Sequence, residues 1–382
     1  MKPNYEIPLL PMPFDFETRE ILRQVNRANR ALAELKGVAL TIPNENILLN
    51  SLVLQEALDS SAIENIVTTS DDLYKAELNL NSINNAAAKE VLRYREAMQT
   101  GFQMIRKHKL LTLKEIKEIQ AKLEANNAGF RSVPGTRLMS SRGETVYIPP
   151  QDPAQLSELM SNLEKYINEP VADDVDPLIK LAVIHHQFES IHPFYDGNGR
   201  TGRIIAILYL VVNDLLDLPI LYLSRYITHN KGEYYRLIQE VRDNAPDNHV
   251  HWQRWIMFML RGIEQTASET IKLVKSISAL MAKFKSVLRP AFGQLYKHEL
   301  LNNLFFHPYT KIEFIQRDLM VQRKTASRYL DRIVELGLLE KMKHGRSNYY
   351  INNELMDLFV SQSNPTGVSY ARDEAIESVF IE

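Results

Sequence analysis

A polar stretch containing three glycines runs without interruption into a wholly apolar segment near the middle of this chain. Residues 192–203 read HPFYDGNGRTGR, and residues 204–212 read IIAILYLVV. The apolar run predicts a helix whose side chains serve packing, and helical spacing of apolar residues recurs along most of the chain. The sequence therefore predicts a mainly α fold, in which residues 192–203 form the loop and first turn that open an apolar helix.

The turn at Gly197, Asn198 and Gly199 has the properties of an anion-binding loop. Two of its three residues lack a Cβ, so backbone N–H groups can approach an anion closely. The following helix directs its unpaired N–H groups and the positive end of its dipole at the same point. Arg200 and Arg203 lie on the first turn of this helix and can both reach a polyphosphate from one face. This arrangement predicts a nucleoside triphosphate as the ligand.

Two further side chains next to the turn indicate chemistry. Asp196 is a hard oxygen ligand of the kind that binds Mg²⁺ together with substrate phosphates. His192 can accept a proton from an incoming hydroxyl, because an unperturbed imidazole has a pKa of about 6.5 and is largely neutral near pH 7. Each feature alone is common in structural turns, in histidines before proline and in solvated arginines at helix starts. Their joint occurrence within one short segment favours a functional site.

The segment HPFYDGNGRTGR matches the signature HxFx(D/E)GNGRxxR at every position. In this it resembles the Fic-domain (Fido) proteins, most of which are AMP transferases that act on protein hydroxyls. The resemblance implies His192 as the catalytic base, Asp196 as the Mg²⁺ ligand and Asn198 as a contact of the α-phosphate. The nucleotide-binding set that it implies comprises Gly197, Asn198, Gly199, Arg200, Thr201, Gly202 and Arg203, with both arginines on the β- and γ-phosphates. ATP is the implied donor, although the motif alone does not exclude UMP or phosphocholine donors.

A segment far upstream, LVLQEALDSSAIENI at residues 52–66, carries a second match. Its apolar spacing predicts a helix over about residues 51–66, on which Ser60 and Glu64 share one face. Ser60, Glu64 and Asn65 fit the inhibitory pattern (S/T)xxxE(G/N) of the same family. The resemblance implies that Glu64 pairs with Arg203 and prevents the triphosphate from adopting its productive pose, as in an N-terminally inhibited member. The alternative is an amphipathic helix with a solvated glutamate.

Residues 129–150, GFRSVPGTRLMSSRGETVYIPP, interrupt the helical pattern with glycines, prolines and β-branched residues. They predict a β-hairpin. A hairpin beside an active site can align an extended target segment by strand addition. The family resemblance implies such a flap at this position, and a simple connector is the alternative.

Aromatic and histidine residues elsewhere are open to two interpretations. Tyr234 and Tyr235 lie on a predicted helix, where a ring can stack on a purine or pack in the core, and the residues alone favour the core. The family resemblance assigns Tyr234 to the adenine pocket. Arg242 occupies a place where some relatives have asparagine, which leaves its nucleotide contact in doubt. His185 and His186 are adjacent on a helix, point about 100° apart and are interpreted as structural.

The C-terminal quarter predicts a separate module. Helical patterns at residues 311–319 and 323–337 are followed by two short strands that flank HGRS, and this order resembles a winged helix. Nine Lys or Arg stand against five Asp or Glu between Lys311 and Arg346. The excess is modest, so DNA binding and a role in protein interaction or dimerisation both remain open.

Composition sets limits on the cellular setting. Among 382 residues, 45 Lys or Arg nearly balance 47 Asp or Glu, so bulk charge indicates no polyanion partner. The absence of cysteine excludes disulfides and thiolate metal sites and agrees with a reducing cytoplasm. No leader pattern and no apolar run of about 18 residues is present, which predicts a cytoplasmic protein without a membrane segment.

The expected architecture has three regions. Residues 1–108 form an N-terminal helical region with the inhibitory helix, and residues 17–36 within it predict a helix that stops at Gly37. Residues 109–285 form the Fic-type core with its flap, and residues 286–382 form the winged helix-turn-helix domain. Helix starts are predicted by a capping box at Thr112 and Glu115, and by Asp152 and Asp176, each followed by proline.

Two functions of different classes follow. The favoured one is a Mg²⁺-dependent protein adenylyltransferase that transfers AMP from ATP to a Ser, Thr or Tyr hydroxyl of a target protein or of itself, releases pyrophosphate and is autoinhibited by Glu64. The alternative is a DNA-binding transcriptional regulator whose helical body senses nucleotide. ATP and a protein substrate are the expected partners, and a homodimer is left open.

Overall fold

The protein is mainly helical, and its short strands form two small antiparallel sheets. The computed structural model describes residues 5–13, 15–77, 85–140, 142–169, 175–344 and 347–363. Helices make up most of these residues, as the apolar spacing of the sequence predicts. The predicted fold class is confirmed.

The helical body is built from eleven consecutive helices of the described chain. The predicted capping box of Thr112 and Glu115 is present, and Asp152 and Asp176 cap two helices whose first residue is proline. In chain order the helices are α1 (Arg19–Ala39), α2 (Glu45–Ile63), α3 (Ser70–Glu77), α4 (Ala86–His108), α5 (Leu113–Glu124), α6 (Pro153–Asn168), α7 (Pro177–Ile191), α8 (Asn198–Val212), α9 (Leu223–His229), α10 (Lys231–Asp243) and α11 (His249–Phe292).

Helices α7 and α8 form the centre of the core. Nearly every residue of both helices is buried, including the whole run from Arg200 to Val211. Helices α1, α6 and α11 pack against α7, while α2, α4, α5 and α9 pack against α8. A helix that is apolar on all sides requires such neighbours. The turn between α7 and α8 is therefore enclosed by several helices at once.

Two predicted helix ends are wrong. Helix α1 does not stop at Gly37 but continues to Ala39, whose side chain is buried. The helix predicted over about residues 51–66 begins earlier, at Glu45, and ends at Ile63. It ends there because Asn65 adopts a left-handed conformation, with φ of 62°, and the N–H of Ile66 folds back onto the carbonyl of Ser61.

The predicted hairpin is present as β1 (Leu138–Met139) and β2 (Thr145–Tyr147). The strands are antiparallel, with Leu138 opposite Tyr147. Ser141, in the connecting turn, lies outside the described residues. The buried hydroxyl of Tyr147 donates a hydrogen bond to the carbonyl of Ser190 at 2.8 Å, so the second strand is tied to the C-terminal end of α7.

Helix α11 is continuous over 44 residues and crosses the position where the sequence predicts a domain boundary, between residues 285 and 286. Its last part packs on the C-terminal module. The rings of Phe284 and Phe305 lie 5.2 Å apart, and those of Phe292 and Tyr329 lie 5.1 Å apart. Within the described parts of the chain, no helix combines the length and apolar character needed to cross a bilayer.

The C-terminal module contains the predicted helix, turn, helix and two-stranded hairpin, and a third strand that the sequence analysis did not predict. The strands form an antiparallel sheet in the order β3, β5, β4. Residues 345–346 of the hairpin turn, which include Arg346, and residues 364–382 lie outside the described residues. After a short 3-10 turn at Gly293–Leu295, the elements are α12 (His298–Phe306), β3 (Tyr309–Lys311), α13 (Ile312–Leu319), α14 (Arg323–Glu335), β4 (Glu340–His344), β5 (Ser347–Ile351) and α15 (Asn353–Ser363).

Candidate active site

His192 stands at the junction between α7 and the loop that precedes α8. It follows the last residue of α7 in a left-handed conformation, with φ of 49° and ψ of 60°. Its backbone N–H donates to the carbonyl of Phe188 at 3.0 Å, which closes the last turn of the helix. A left-handed conformation is uncommon for a residue with a side chain, so the surrounding contacts must hold it.

Arg131, in the segment before the hairpin, supplies much of that support. Its Nε donates to the carbonyl of His192 at 2.8 Å, and one Nη donates to the carbonyl of Ile191 at 3.2 Å. Its backbone N–H donates to the carbonyl of Pro193 at 2.9 Å. Carbonyl groups at the end of a helix lack partners within the helix. The buried guanidinium of Arg131 therefore satisfies the end of α7 and fixes the start of the loop.

Positive charge and burial together determine the protonation state of His192. Burial is the largest influence, and it lowers the pKa of His192 to about 3 with the help of Arg242 and Arg131. A hydrogen bond with the backbone of Glu189 opposes this lowering. The imidazole is therefore neutral at physiological pH, which is the form that can accept a proton.

Arg242 is itself buried beside His192 and beneath the hairpin. Its Nε donates to Ser190 Oγ at 3.1 Å, and its guanidinium carbon lies 4.0 Å from the centre of the Tyr147 ring. In this position the side chain links α10 to the hairpin and to the end of α7.

The side chain of Asn198 holds the loop closed. Its Oδ1 accepts from the N–H of Phe194 at 2.8 Å, and its Nδ2 donates to the carbonyl of Phe194 at 2.8 Å. Phe194 is fully buried. Asn198, which the sequence predicts as an α-phosphate contact, therefore has a second, structural use in the loop.

Asp196 and Tyr195 are the exposed side chains of this loop. The Oδ1 atom of Asp196 accepts from the N–H of Gly197 at 2.7 Å. The hydroxyl of Tyr195 accepts from the N–H groups of Ser132 and Val133, which connects the loop to the segment before the hairpin. An exposed carboxylate fits a Mg²⁺ ion that is held mainly by substrate phosphates. No group of three or more candidate metal ligands exists among the described residues.

Glu64 bridges both arginines of the motif. One carboxylate oxygen lies 2.7 Å from Nη2 of Arg203, and the other lies 2.7 Å from Nε of Arg200. A Cβ atom placed on Gly199 would lie 2.7 Å from the same oxygen that contacts Arg203. The carboxylate of Glu64 therefore lies against the first turn of α8, where the sequence predicts a bound anion. The pairing with Arg200 was not predicted.

Ser60 and Asn65 lie on either side of this contact. Ser60 Oγ accepts from Nε of Arg203 at 2.7 Å, and its carbonyl accepts from Nη2 at 3.0 Å. Asn65 is exposed, and its Oδ1 accepts from Nζ of Lys231 at 3.1 Å. Ser60 and Glu64 thus supply the hydrogen-bond acceptors of Arg203, which is only 1% exposed.

Arg200 contacts three carboxylates that come from three different helices. Besides Glu64, these are Glu90 of α4 at 3.1 Å and Glu124 of α5 at 3.0 Å. The sequence motifs predict neither Glu90 nor Glu124 as a site residue. Nothing in their local sequence distinguishes them from other glutamates on helices, because only the fold brings them to the motif.

Thr201 and Gly202 have positions different from those of the loop residues. Thr201 is fully buried, and its hydroxyl has no hydrogen-bond partner among the described residues. Gly202 faces α7, and a Cβ there would lie 3.0 Å from Phe188 and from the carboxylate of Glu189. The missing side chain at Gly202 therefore serves the close packing of α7 and α8 rather than a contact with nucleotide.

The assignment of Tyr234 to a nucleotide pocket is not supported by its position. Tyr234 is 1% exposed, and its hydroxyl lies 2.8 Å from Nε2 of His185. Its ring packs against Trp255 and Phe258 in the core. The neighbouring Tyr235 is 48% exposed. Tyr235 is thus the tyrosine of this pair that a ligand in solution can reach.

The two histidines of α7 are structural, as the sequence indicates. Nε2 of His186 lies 3.2 Å from the carbonyl of Ile238, and its ring packs against Trp252. Burial lowers the pKa of both His185 and His186, which keeps these rings neutral. Neither shares a partner atom with the other.

Four of the eight described basic residues between Lys311 and Lys343 form ion pairs with nearby acids. On and around α14, Arg323 lies 2.6 Å from Glu313, and Arg332 lies 2.8 Å from Glu335. Lys341 of β4 lies 2.6 Å from Asp331. A phosphate-binding face requires positive charge that is not already compensated. These pairs reduce the positive charge that the described part of this module could present to a phosphate backbone.

Comparison with protein-family models places three matches along the chain. The model of the Fic/DOC family N-terminal region matches residues 22–103, and the Fic/DOC family model matches residues 110–210. The model described as protein adenylyltransferase SoFic-like, C-terminal domain, matches residues 280–355. Together they cover more than half of the chain, and the second contains the whole α7 to α8 loop. The chain belongs to the Fic/DOC family.

Curated relatives match over short stretches. A protein adenylyltransferase Fic of Aedes aegypti is 32% identical over 105 residues, which is 27% of this chain and 20% of the relative. The protein adenylyltransferase Fic of Drosophila melanogaster is 39% identical over 59 residues, which is 15% of this chain and 12% of the relative. The chain thus spans about a fifth or less of the length of these relatives.

Solved structures agree in fold. A Fic family protein from Desulfovibrio desulfuricans has a TM-score of 0.56 and 18% sequence identity, and the match covers 90% of this chain and 98% of that one. A fragment of Fic-1 from C. elegans has a TM-score of 0.50 and 17% identity over 68% of this chain and 73% of that one. The Fic fold therefore extends over most of the molecule.

Proposed function

We propose that this protein is a Mg²⁺-dependent protein adenylyltransferase that is autoinhibited by Glu64. It would transfer AMP from ATP to a Ser, Thr or Tyr hydroxyl of a target protein or of itself. The observation that carries the proposal is the contact of the Glu64 carboxylate with both motif arginines over Gly199. Two guanidiniums and a helix N-terminus form a site for an anion, and here a side chain of the same protein takes the place of that anion.

Each of the residues around the loop has a separate role in the proposed reaction. His192, neutral in the fold, accepts the proton of the incoming hydroxyl, whose oxygen attacks the α-phosphorus. The bond from the α-phosphorus to the bridging oxygen breaks, and pyrophosphate leaves with that oxygen. Arg200 and Arg203 stabilise the negative charge on the β- and γ-phosphates. Asp196 would hold a Mg²⁺ ion, which offsets phosphate charge when it is bound.

The low pKa of His192 is compatible with this role. Positive charge from Arg242 and Arg131 helps to lower it. The negative charge of a bound triphosphate would act in the opposite direction, because nearby anions favour the protonated imidazole. Binding of ATP is thus expected to make His192 a stronger base at the moment when it is needed.

Inhibition follows from competition for the same positive charge. A γ-phosphate and the Glu64 carboxylate cannot both bind Arg203, whose remaining contacts are with Ser60. The inhibited state therefore has to open before the triphosphate can bind productively. The affinity measured for ATP is reduced by the fraction of molecules that are closed.

The hairpin supports the assignment of a protein as acceptor. Strand β2 is tied through the hydroxyl of Tyr147 to the carbonyl of Ser190, two residues before His192. An extended segment of a target could add to this hairpin and bring its hydroxyl to the imidazole. Such pairing uses backbone groups and requires little of the target's sequence.

Labelled ATP tests the proposal directly. The full chain is incubated with labelled ATP and Mg²⁺, and the label on protein is measured for the parent, Glu64→Gly, Glu64→Gln and His192→Ala. We expect weak self-labelling in the parent, a large increase in both Glu64 variants and none in His192→Ala. The isosteric Glu64→Gln variant separates loss of charge from loss of packing. Mass spectrometry of a Glu64→Gly reaction in cell lysate identifies the adduct and the acceptor.

Two outcomes contradict the proposal in different ways. Unchanged labelling in both Glu64 variants contradicts inhibition by Glu64, although the transferase activity would stand. Absence of any nucleotide transfer by every variant contradicts the enzymatic function itself.

A further inference from the structure

Glu124 is a second carboxylate that lies against the loop, and it belongs to α5. It is the last residue of α5, which ends because Ala125 adopts a left-handed conformation with φ of 52°. One turn earlier, Gln120 donates to the carbonyl of Asp196 at 3.3 Å, so the end of α5 is attached to the loop. The side chain of Glu124 is mostly buried, and its Oε1 lies 3.0 Å from Nη2 of Arg200.

Each of the first two glycines in the motif is covered by one carboxylate. A Cβ placed on Gly199 would collide with Glu64, and a Cβ placed on Gly197 would collide with Glu124. Glu64 directly follows α2, and Glu124 is the last residue of α5. The space that the glycines leave open is therefore shared between Glu64 and Glu124.

The donors of Arg200 are divided among three acids. Its Nε faces Glu64, its Nη1 faces Glu90, and its Nη2 faces Glu124. Nη1 donates a hydrogen bond to Glu90, whereas the contacts of Nε with Glu64 and of Nη2 with Glu124 are ion pairs without hydrogen-bond alignment. Glu90 and Glu124 stay within ion-pair distance of Arg200 when Glu64 withdraws, so removal of Glu64 alone leaves the charge of Arg200 compensated by two other carboxylates.

Charge around the loop is unfavourable for a polyanion. The positive charge of Arg200 is opposed by Glu64, Glu90, Glu124 and Asp196, all of which act on its pKa. Burial raises the pKa of Glu124, and the neighbouring carboxylates raise it further against the opposing influence of Arg200. A triphosphate that enters this environment meets like charge even after Glu64 has left.

We propose that Glu124 is a second inhibitory carboxylate, which restrains Arg200 and limits triphosphate binding independently of Glu64. It acts through Arg200 and is a positioning residue, not a catalytic one. The proposal rests on the proposed function, because it requires that the site bind a nucleoside triphosphate. It implies that withdrawal of α2 activates the protein only in part, and that full affinity also requires the end of α5 to release Arg200.

Equilibrium binding separates this role from a structural one. Binding of fluorescent ATP and of a fluorescent adenosine, both with Mg²⁺, is measured for the full chain carrying Glu64→Gly, with and without Glu124→Gln. Removal of one negative charge a few ångströms from the phosphates should tighten ATP binding about tenfold. Adenosine, which carries no charge, should bind equally to both chains. A purely structural defect would weaken both ligands.

Control variants show whether the effect on ATP binding is specific to the Glu124 carboxylate. Glu118→Gln removes an exposed carboxylate from the same helix and should leave ATP binding unchanged. Glu124→Ala removes the side chain altogether and should tighten ATP binding as Glu124→Gln does. Thermal unfolding of each variant confirms that the chain is folded before binding is compared.

The outcomes distinguish this proposal from the proposed function. Unchanged or weaker ATP binding in both Glu124 variants overturns the inhibitory role of Glu124. Weaker binding would mean instead that the carboxylate helps ATP to bind, because it holds Arg200 in a productive position or binds a cation. If transfer from ATP is absent but the tenfold effect on binding is found, the inference about Glu124 stands and the enzymatic function fails. If none of the variants binds ATP, both fail.

Discussion

A rise in pH should destabilise the protein through Glu56, one turn before Ser60 on α2. Glu56 is almost completely buried. The N–H of Ser224 donates to its Oε2 at 3.1 Å, and the hydroxyl of Tyr94 donates to its Oε1 at 3.2 Å. Burial raises the pKa of Glu56 to about 8, and the hydrogen bonds with Ser224 are the main opposing influence. Glu56 therefore carries a proton in the folded protein at neutral pH.

The sign and size of the effect follow from this shift. The ordinary pKa of the group is 4.5, so between that pH and about 8 the folded state holds a proton that the unfolded chain has released. Stability is thus lost as pH rises above the unfolded value, and the loss is complete above the folded value. At about 1.4 kcal/mol per pH unit, a rise from about pH 6 to about pH 9 lowers the free energy of unfolding by roughly 3 kcal/mol through Glu56.

Urea unfolding of the parent and of Glu56→Gln at both pH values measures this contribution. Glutamine cannot ionise, and its amide can donate to Ser224 Oγ and accept from the N–H of Ser224. The variant should lose roughly 3 kcal/mol less than the parent between the two pH values, while other titrating groups contribute equally to both. Glu20→Gln, an exposed change on α1, should behave as the parent does. An identical pH dependence in the parent and Glu56→Gln would refute the reasoning.

Three further results are expected. Because the pKa of His192 is lowered to about 3, its ring resonances should not shift in NMR spectra between about pH 8 and pH 5, and the spectrum of His192→Gln identifies them. A titration midpoint near about 6.5 would contradict the burial argument. Gly199→Ala in the Glu64→Gly chain should reduce labelling by ATP at least about tenfold, since a methyl group there enters the space for the anion, and undiminished labelling would contradict the role of the turn. Tyr234→Phe should lower the free energy of unfolding in urea by about 1 kcal/mol without changing ATP affinity, whereas Tyr235→Ala should weaken ATP binding severalfold. The reverse pattern would restore the assignment of Tyr234 to the adenine pocket.

The loop at the site could be predicted because its residues are contiguous. The order of His192, Asp196 and the three residues that follow is fixed by covalent connection, and the first turn of the next helix adds two arginines. The fold class could be predicted because apolar residues recur at helical spacing, which marks the buried face of each helix. Both inferences use only neighbours in the sequence.

The partners of the motif arginines could not be predicted in the same way. Glu64 was found through a local pattern, but its second contact, with Arg200, depends on how α2 approaches α8. Glu90 and Glu124 come from helices whose faces are set by tertiary packing. Among 47 acidic residues, no local feature marks these two as neighbours of the loop.

It is also difficult to predict from the sequence which of two adjacent residues on a helix is buried. Tyr234 and Tyr235 point about 100° apart, so the rotation of α10 about its axis decides which of them is buried. That rotation depends on the contact with Trp255 and Phe258 of α11, which the local sequence does not reveal. The end of α1 is similar, because burial of Ala39 outweighs the tendency of Gly37 to stop a helix.

The uninterrupted course of α11 bears on how this protein can be divided for experiments. A cut between residues 285 and 286 would split one helix and leave Phe284 on one fragment and its ring partner Phe305 on the other. Both fragments would then present apolar surface to water, and aggregation of either piece would say little about the intact molecule. Expression of the C-terminal module by itself should therefore retain the whole second half of α11, or replace its apolar positions with polar residues.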